Sequence, residues 1–147
     1  MKIFIGADHG GFELKKKVMT ALEGQGYEVI DEGAHVYDKL DDFPDFGKTV
    51  AEGVSKEPAD SRGILLCRSG VGMDIVANRF KGVRSVLALS PEHVARARHD
   101  EDVNVLSVAS DFSSEADVMK IIDAFLHTPF AAEEKYSRRL KKISELE

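Results

Sequence analysis

The residues best suited to chemistry form one short stretch, Cys67-Arg68-Ser69-Gly70-Val71-Gly72. It follows an apolar run and precedes a helical pattern, so its glycines lie where backbone N–H groups can converge at a helix start. Such a loop could hold a phosphate or a developing oxyanion. The helix dipole and the charge of Arg68 would both lower the pKa of the Cys67 thiol, which makes its thiolate available.

This loop differs from two familiar phosphate-binding motifs. It lacks the terminal Gly-Lys-Ser/Thr of nucleotide-binding P-loops, and its glycine spacing is not that of the dinucleotide fingerprint. The alternative is that Cys67 is a buried structural residue and that the glycines only form a packing turn. The spacing alone leaves both interpretations open.

A second group, Asp8-His9, directly follows the first apolar run and precedes Gly10 and Gly11. The two side chains could act as acid and base, or bind a sugar hydroxyl and a phosphate. The alternative is that Asp8 caps the following helix beside an exposed His9.

Two charged segments lie further along the chain. The charged residues around His99 and Asp100 are typical of a helix end that faces solvent. A metal site built from Asp8, His9, His99 and Asp102 is conceivable, but their spacing is not that of a metal motif, so we expect no bound metal. The last helical pattern carries cations that either lie on a solvated surface or clamp a phosphate, namely Lys135, Arg138, Arg139, Lys141 and Lys142.

Composition narrows the class of protein. The 147 residues suit a single domain over 1–147, and the lone Cys67 excludes an intramolecular disulfide and fits a reducing cytoplasm. With 20 Lys and Arg against 26 Asp and Glu, the net charge of −6 argues against nucleic-acid binding. No apolar run approaches the roughly 18 residues of a membrane helix, and the opening residues do not resemble a signal peptide.

Short apolar runs alternate with helical periods, which predicts a three-layer α/β/α fold with a five-stranded parallel sheet and an extra C-terminal helix over about 131–147. Lys15 to Lys17 are expected to face water. Ligands bind beyond the carboxyl ends of such strands, which selects the segments after strands one and three and the region around His99. The predicted strands are 2–7, 28–31, 63–67, 83–89 and 103–109; the predicted helices begin near 12, 45, 73, 91 and 115.

Over nearly its whole length the chain resembles the type B ribose-5-phosphate isomerases and the related galactose-6-phosphate isomerase subunits. The first and third of the matching blocks are specific in combination. The blocks are Ile5-Gly6-Ala7-Asp8-His9-Gly10-Gly11-Phe12-Glu13-Leu14-Lys15, Asp42-Phe43-Pro44, Gly63-Ile64-Leu65-Leu66-Cys67 with Ser69-Gly70-Val71-Gly72, Ala77-Asn78-Arg79, Gly82-Val83-Arg84 and Asn104-Val105-Leu106.

The resemblance implies a flavodoxin-like, Rossmann-like sheet with strand order two-one-three-five-four. It implies a homodimer or dimer of dimers with sites between subunits, to which the C-terminal helix contributes contacts. The implied activity is cofactor-free aldose–ketose isomerisation of a sugar phosphate, of the ribose 5-phosphate type, through an enediolate. Cys67 matches the base, 69–72 the oxyanion nest, Asp8 a residue for sugar hydroxyls and ring opening, and His9 a phosphate ligand.

The chain departs from the family pattern at several binding positions. The usual Tyr before the loop proline is Phe43. The ring-opening His position holds Asp100, with His99 one residue earlier, and the Asn that usually follows is Glu101. The resemblance therefore leaves open whether His99 or Asp100 opens the sugar ring.

The phosphate-binding positions differ as well. The family's phosphate Arg after strand five is replaced by Asp111, and its two C-terminal arginines fall on Lys135 and Arg139. A carboxylate about 4 Å from a phosphate would repel it by roughly 1–4 kcal/mol per unit charge. Arg68, where the family has Gly, could supply the missing positive charge.

Three hypotheses follow. The favoured one is an active sugar-phosphate isomerase whose particular sugar is undetermined. The second is a catalytically weak or substrate-shifted subunit that binds a sugar phosphate and needs a partner chain. A flavodoxin-like signalling domain is disfavoured, because a single Asp8 beside His9 is a poor match to an acidic phospho-acceptor pocket.

Overall fold

The computed structural model describes residues 1–147, and its five strands form one parallel sheet in the order β2-β1-β3-β5-β4. This agrees with the predicted fold class and with the order implied by the resemblance. The strands are β1 Lys2–Ala7, β2 Glu28–Asp31, β3 Ser61–Cys67, β4 Ser85–Leu87 and β5 Val105–Ala109; the helices are α1 Phe12–Gly24, α2 Phe43–Lys56, α3 Val71–Ala77, α4 Pro91–Glu101, α5 Glu115–His127 and α6 Glu134–Ser144.

Both faces of the sheet are covered. Helices α1, α4 and α5 pack on one face, and α2 and α3 on the other. Side chains alternate along β3, so Ile64 and Leu66 join the first core while Leu65 and Cys67 join the second. Helix α6 lies outside these layers against α4. None of the helices has the length and apolar character needed to cross a bilayer.

The predicted bounds of β1 and β2 and the predicted starts of α1, α4 and α5 are confirmed, and the remaining bounds shift by a few residues. Helix α2 begins at Phe43 rather than 45, since Pro44 fits a first turn that needs no N–H donor. Helix α3 begins at Val71 rather than 73, because Gly70 turns the chain directly into the helix. Strand β4 is shorter than expected, because the Arg84 N–H already donates to the Asn104 side chain.

The expectation that Lys15 faces water is wrong. Lys15 is only 1% exposed, and its Nζ donates to Asp31 Oδ1 at 2.5 Å and to the Ala34 carbonyl at 2.8 Å. Burial tends to raise the pKa of Asp31, but the hydrogen bonds from Lys15 and the Gly33 N–H hold it below its usual value. This ion pair ties α1 to the loop after β2.

The end of α4 is not the solvated segment that its charges suggested. Arg98 is buried, and its Nη1 donates to Asp102 Oδ1 at 2.8 Å and to the Val103 carbonyl at 2.6 Å. Arg84 Nη2 donates to the other oxygen of Asp102 at 2.9 Å. These arginines neutralise Asp102 and fix the turn into β5.

We expect Lys15→Met to lower the free energy of unfolding at neutral pH by about 2 kcal/mol, because it leaves Asp31 without its cation in a partly buried site. Asp31 has a lowered pKa, so the pair stabilises the fold above the ordinary Asp pKa and loses that effect as pH falls through the folded-state pKa. Urea unfolding of both proteins at neutral and acid pH measures this difference.

Lys16→Met is the matched control, because Lys16 pairs with Glu13 at the exposed surface. We expect a change within about 0.5 kcal/mol. An equal loss in the two variants, or a Lys15→Met deficit that persists unchanged in acid, would contradict the role assigned to the buried pair.

Candidate functional site

The centre of the sheet contains the point at which a ligand cleft is expected. Strands β1 and β3 are neighbours, with Ala7 paired to Leu66, but the helices that follow them cover opposite faces. The chain therefore diverges beyond the carboxyl ends of these two strands and opens a crevice. Asp8 follows β1 and Cys67 ends β3, so both predicted groups lie at this crevice.

The Cys67 sulfur is surrounded by backbone amides. Its Sγ accepts a hydrogen bond from the Gly70 N–H at 3.1 Å, and the N–H groups of Met73 and Ser69 also act on it. The residue is 5% exposed and packs into the core beneath α2 and α3, as the structural alternative expected, while lying at the crevice. Burial raises the pKa of the Cys67 thiol, and the charge of Asp8 adds to that rise.

The expected lowering of the Cys67 pKa is therefore wrong. Loss of water around the sulfur outweighs the amides that face it. Arg68 does not lower the pKa of Cys67 as expected, because its Nη1 lies 3.5 Å from Asp111 Oδ2 on the protein surface. The resting group is the neutral thiol.

Glycines let the loop approach its neighbours. Gly70 has φ +73°, and a Cβ there would come within 2.5 Å of the Leu87 side chain. A Cβ on Gly72 would lie 2.7 Å from the ring of Phe43, so that ring packs directly over the loop. Phe43 thus lies against the loop that carries Cys67, and its role in substrate binding stays a prediction.

Asp8 does not cap α1, so that alternative is wrong. The capping residue is Gly11, and Asp8 Oδ1 instead accepts the Gly10 N–H at 2.9 Å. Burial raises the pKa of Asp8; the Gly10 N–H and the neighbouring His9 oppose the rise, and Asp41 adds to it. Asp8 consequently keeps its proton to a higher pH than an ordinary carboxyl.

Asp41 is a site residue that the sequence reasoning missed. Its Oδ1 lies 2.6 Å from His9 Nδ1 and accepts the His9 backbone N–H at 3.1 Å. Asp41 lies in the irregular loop between β2 and α2, where no period or motif indicates which way a side chain points. Only the folded loop brings it to His9.

Ser110 was missed too, although a signal existed. It directly follows β5, and its N–H donates to the Cys67 carbonyl at 2.9 Å while its Oγ is buried without a partner. The next residue, Asp111, donates its N–H to the Arg68 carbonyl at 3.0 Å. The rule that sites form at carboxyl ends of strands would have selected this segment.

Four of the remaining predicted residues form a second cluster around Tyr136. His99 Nδ1 lies 2.6 Å from Asp100 Oδ1, and the His99 ring is 5.7 Å from the ring of Tyr136. The hydrogen bond from His99, followed by one from Tyr136, lowers the pKa of Asp100. Lys135 Nζ lies 4.6 Å from the centre of the Tyr136 ring, and Arg139 Cζ 5.9 Å.

The two clusters lie at opposite ends of the sheet. Helix α4 starts beyond the carboxyl end of β4 and runs back for about 16 Å, so its last residues lie at the amino end. The expectation that the His99 region lies at the carboxyl edge is therefore wrong. The first cluster comprises Asp8, His9, Asp41, Phe43, Cys67, Arg68, Ser69, Gly70, Val71 and Gly72; the second comprises His99, Asp100, Lys135, Tyr136 and Arg139.

Glu101 belongs to neither cluster. With Asp100 it lines a groove of about 820 Å³ between α4, β4 and the C-terminal residues, and no residue of the first cluster lines that groove. Cys67 does not line this groove, and the size of the groove does not make it the reaction site. We assign the chemistry to the crevice that contains Cys67.

The metal set considered from the sequence is not assembled, because His99 and Asp102 lie at the far end of the sheet. Asp8, His9 and Asp41 do offer ligand atoms within 4.8 Å of one another. The 2.6 Å contact of His9 with Asp41 is shorter than the roughly 3.3 Å between two ligands of a tetrahedral zinc ion. This contact has the geometry of a hydrogen bond.

Known proteins share both the sequence and this architecture. Residues 3–143 match the family model described as Ribose/Galactose Isomerase. The probable ribose-5-phosphate isomerase B of Mycoplasma genitalium is 39% identical over 141 residues, covering 96% of this chain and 92% of the relative.

Two solved structures extend the comparison. Ribose-5-phosphate isomerase B from Mycoplasma genitalium with bound ribulose-5-phosphate superposes with a TM-score of 0.96 at 38% identity, covering 99% of this chain and 95% of that one. The Thermotoga maritima enzyme gives a TM-score of 0.91 at 40% identity, covering 98% and 97%. The chain therefore belongs to the ribose/galactose isomerase family and is an aldose–ketose isomerase.

Proposed function

We propose that this chain interconverts ribose 5-phosphate and ribulose 5-phosphate, without a cofactor, at a site that two copies of the chain complete. The observation that carries the proposal is the Cys67 sulfur, surrounded by N–H groups at the crevice beside Asp8. The relative whose structure holds ribulose-5-phosphate supports the choice of a five-carbon sugar.

Cys67 acts as the base. As a thiolate it takes the proton from C2 of the open-chain aldose, and the C2–H electron pair forms the C1–C2 double bond of an enediolate. The same thiol then returns the proton to C1. A second proton passes from the C2 oxygen to the C1 oxygen. The ketose therefore has the same atoms and the same charge as the aldose.

The loop at 69–72 and Asp8 serve the oxygens. In the resting chain the Gly70 N–H donates to the sulfur, and the Val71 N–H lies 3.4 Å from the Ser69 hydroxyl. With substrate bound, the loop amides can stabilise the negative charge of the enediolate. Asp8 has a raised pKa, which suits a group that passes protons between sugar oxygens and assists ring opening.

A second copy supplies the second cluster. Within one chain His99 and Asp100 cannot reach Cys67. They lie in the last turn of α4, at the amino end of the sheet, whereas Cys67 lies at the carboxyl end of β3. Large apolar side chains are also exposed in the segments around the first cluster, which is unusual unless another surface covers them. These are Val36, Tyr37, Leu40, Val71, Ile75, Leu89 and Phe112.

Cations from both copies hold the phosphate. We assign His9 and Arg68 from one copy, and Lys135 and Arg139 on α6 from the other, with Glu101 near the sugar. Helix α6 thereby contributes to the contact between copies. Arg68 lies beside Asp111 and offsets its charge. In this proposal the phosphate cation is therefore carried by the residue after β3, and not by the position after β5 where the family has Arg. The free Cys67 thiol suits a cytoplasmic location.

We expect Cys67→Ala to lower kcat/KM for ribose 5-phosphate by roughly a hundredfold to ten-thousandfold, since it removes the base. Because burial raises the pKa of Cys67, the thiolate forms only as pH rises, so wild-type kcat/KM should increase through the alkaline range. The Cys67→Ala protein should lack this rise. Full turnover by that variant would exclude the assigned role.

The same assay with tetrose, pentose and hexose phosphates tests the substrate. Turnover restricted to the pentose supports the proposal. If the wild type binds these sugars without turnover until another chain is added, the weak-subunit hypothesis replaces it.

The shared site predicts complementation between inactive variants. Cys67→Ala disables the first cluster and His99→Asn/Asp100→Asn the second. Random pairing makes half the dimers mixed, each with one intact site of two, so the refolded mixture should reach about one quarter of wild-type activity.

Mixing Cys67→Ala with Asp8→Asn is the matched control, because both changes affect the first cluster and no intact site can form. Activity there should not exceed the average of the two variants. A shared site is ruled out if mixed dimers form by mass spectrometry and the first pair stays inactive.

Arg68→Gly should raise KM for ribose 5-phosphate about tenfold while kcat changes little, because it removes a phosphate cation and leaves Asp111 uncompensated. Lys17→Met, which removes an exposed cation paired with Glu115, serves as the control. An unchanged KM in Arg68→Gly would show that the guanidinium takes no part in binding.

A further inference from the structure

Asp41 occupies an unusual position for a carboxylate. Its side chain is 9% exposed, and its Oδ2 is buried with no hydrogen-bond partner. Burying a charged oxygen without a partner costs stability, so a loop that retains one must gain elsewhere. Both hydrogen bonds of the Asp41 side chain go to one residue, His9.

The two contacts define how His9 is held. A single oxygen, Asp41 Oδ1, lies 3.1 Å from the backbone nitrogen of His9 and 2.6 Å from its ring Nδ1. The first contact fixes the backbone where the chain leaves β1, and the second fixes the rotation of the ring. Because Nδ1 is engaged, Nε2 is the ring nitrogen left for a ligand.

We propose that Asp41 is a positioning residue that holds His9 with Nδ1 inward and Nε2 directed to the substrate phosphate, which rests on the proposed function. An Asp that accepts from Nδ1 leaves only Nε2 to bind or release a proton at the site. A phosphate oxygen needs a donor there, so the bound imidazolium lies between two anions, the carboxylate of Asp41 and the phosphate.

The neighbouring charges are consistent with this arrangement. Asp8 is adjacent in sequence, and the proximity of Asp41 helps to raise its pKa, so Asp8 competes less for the His9 proton. The Arg68 side chain passes beside Gly10, where a Cβ would come within 2.5 Å of its Cγ, and its guanidinium contacts Asp111. Asp41 thus orients one phosphate donor at the crevice.

The role predicts an effect on binding that is separate from stability. Asp41→Asn keeps the size of the side chain but removes its charge. We expect KM for ribose 5-phosphate and the inhibition constant of inorganic phosphate to rise about tenfold, with kcat within about threefold. The free energy of unfolding should stay equal or increase, because a poorly paired buried charge is gone.

The control is Asp38→Asn in the same loop. Asp38 is exposed, and its Oδ1 accepts only the Leu40 N–H, a contact that Asn preserves. Its KM and phosphate inhibition should match the wild type. His9→Asn and the double variant Asp41→Asn/His9→Asn complete a cycle, in which the Asp41 change should add nothing once His9 is absent.

Nitrogen NMR of the ring gives a readout that a purely structural residue would not move. The wild type should show His9 with its proton on Nδ1 before phosphate is added and on both nitrogens afterwards, whereas Asp41→Asn should show mixed tautomers. The inference is overturned if Asp41→Asn leaves KM, phosphate inhibition and the tautomer unchanged, or if the two changes are additive.

These outcomes separate the inference from the proposed function. If His9→Asn raises KM but Asp41→Asn does not, the inference fails while the isomerase site stands. If the wild type does not turn over ribose 5-phosphate, the proposed function fails, and the phosphate titration by NMR decides the inference alone.

Discussion

The site depends on a balance between loss of water and fixed dipoles at one sulfur. Cys67 ends a central strand of a sheet covered on both faces, so its sulfur is largely buried. Desolvation favours the neutral thiol, and the N–H groups of Met73, Gly70 and Ser69 oppose it without prevailing. The base that we propose therefore rests as a neutral thiol. In the proposed mechanism the loop amides offset this cost by stabilising the negative charge of the bound enediolate.

The charged groups of the two clusters are arranged in pairs. Arg68 is matched by Asp111, His9 by Asp41, and His99 by Asp100. In each pair an acidic side chain contacts a basic one, and the two histidine pairs lie at opposite ends of the sheet. The separation of the two clusters follows from the topology, because a helix that returns beside a parallel sheet carries its last residues to the amino end.

Much of the fold could be predicted because its signals are local. The apolar runs of β1 and β2 gave their bounds, and the Pro91 start of α4 follows from a Ser cap and a first-turn acid. The bounds of β4 and β5 were less accurate, because the pairing of Arg84 with Asn104 is a tertiary contact. Within the site, the loop at 67–72 and Asp8-His9 could be selected from residue type and position alone.

The sequence by itself determined the sheet architecture, the family and the thiol at the end of β3, since apolar period and motif spacing are written along the chain. Only the tertiary structure decided the ionisation of that thiol, the burial of Lys15 and the partnership of Asp41 with His9. The physical reason is that desolvation and pairing depend on what surrounds a group in space. Residues 32 positions apart share no local pattern that could indicate their contact.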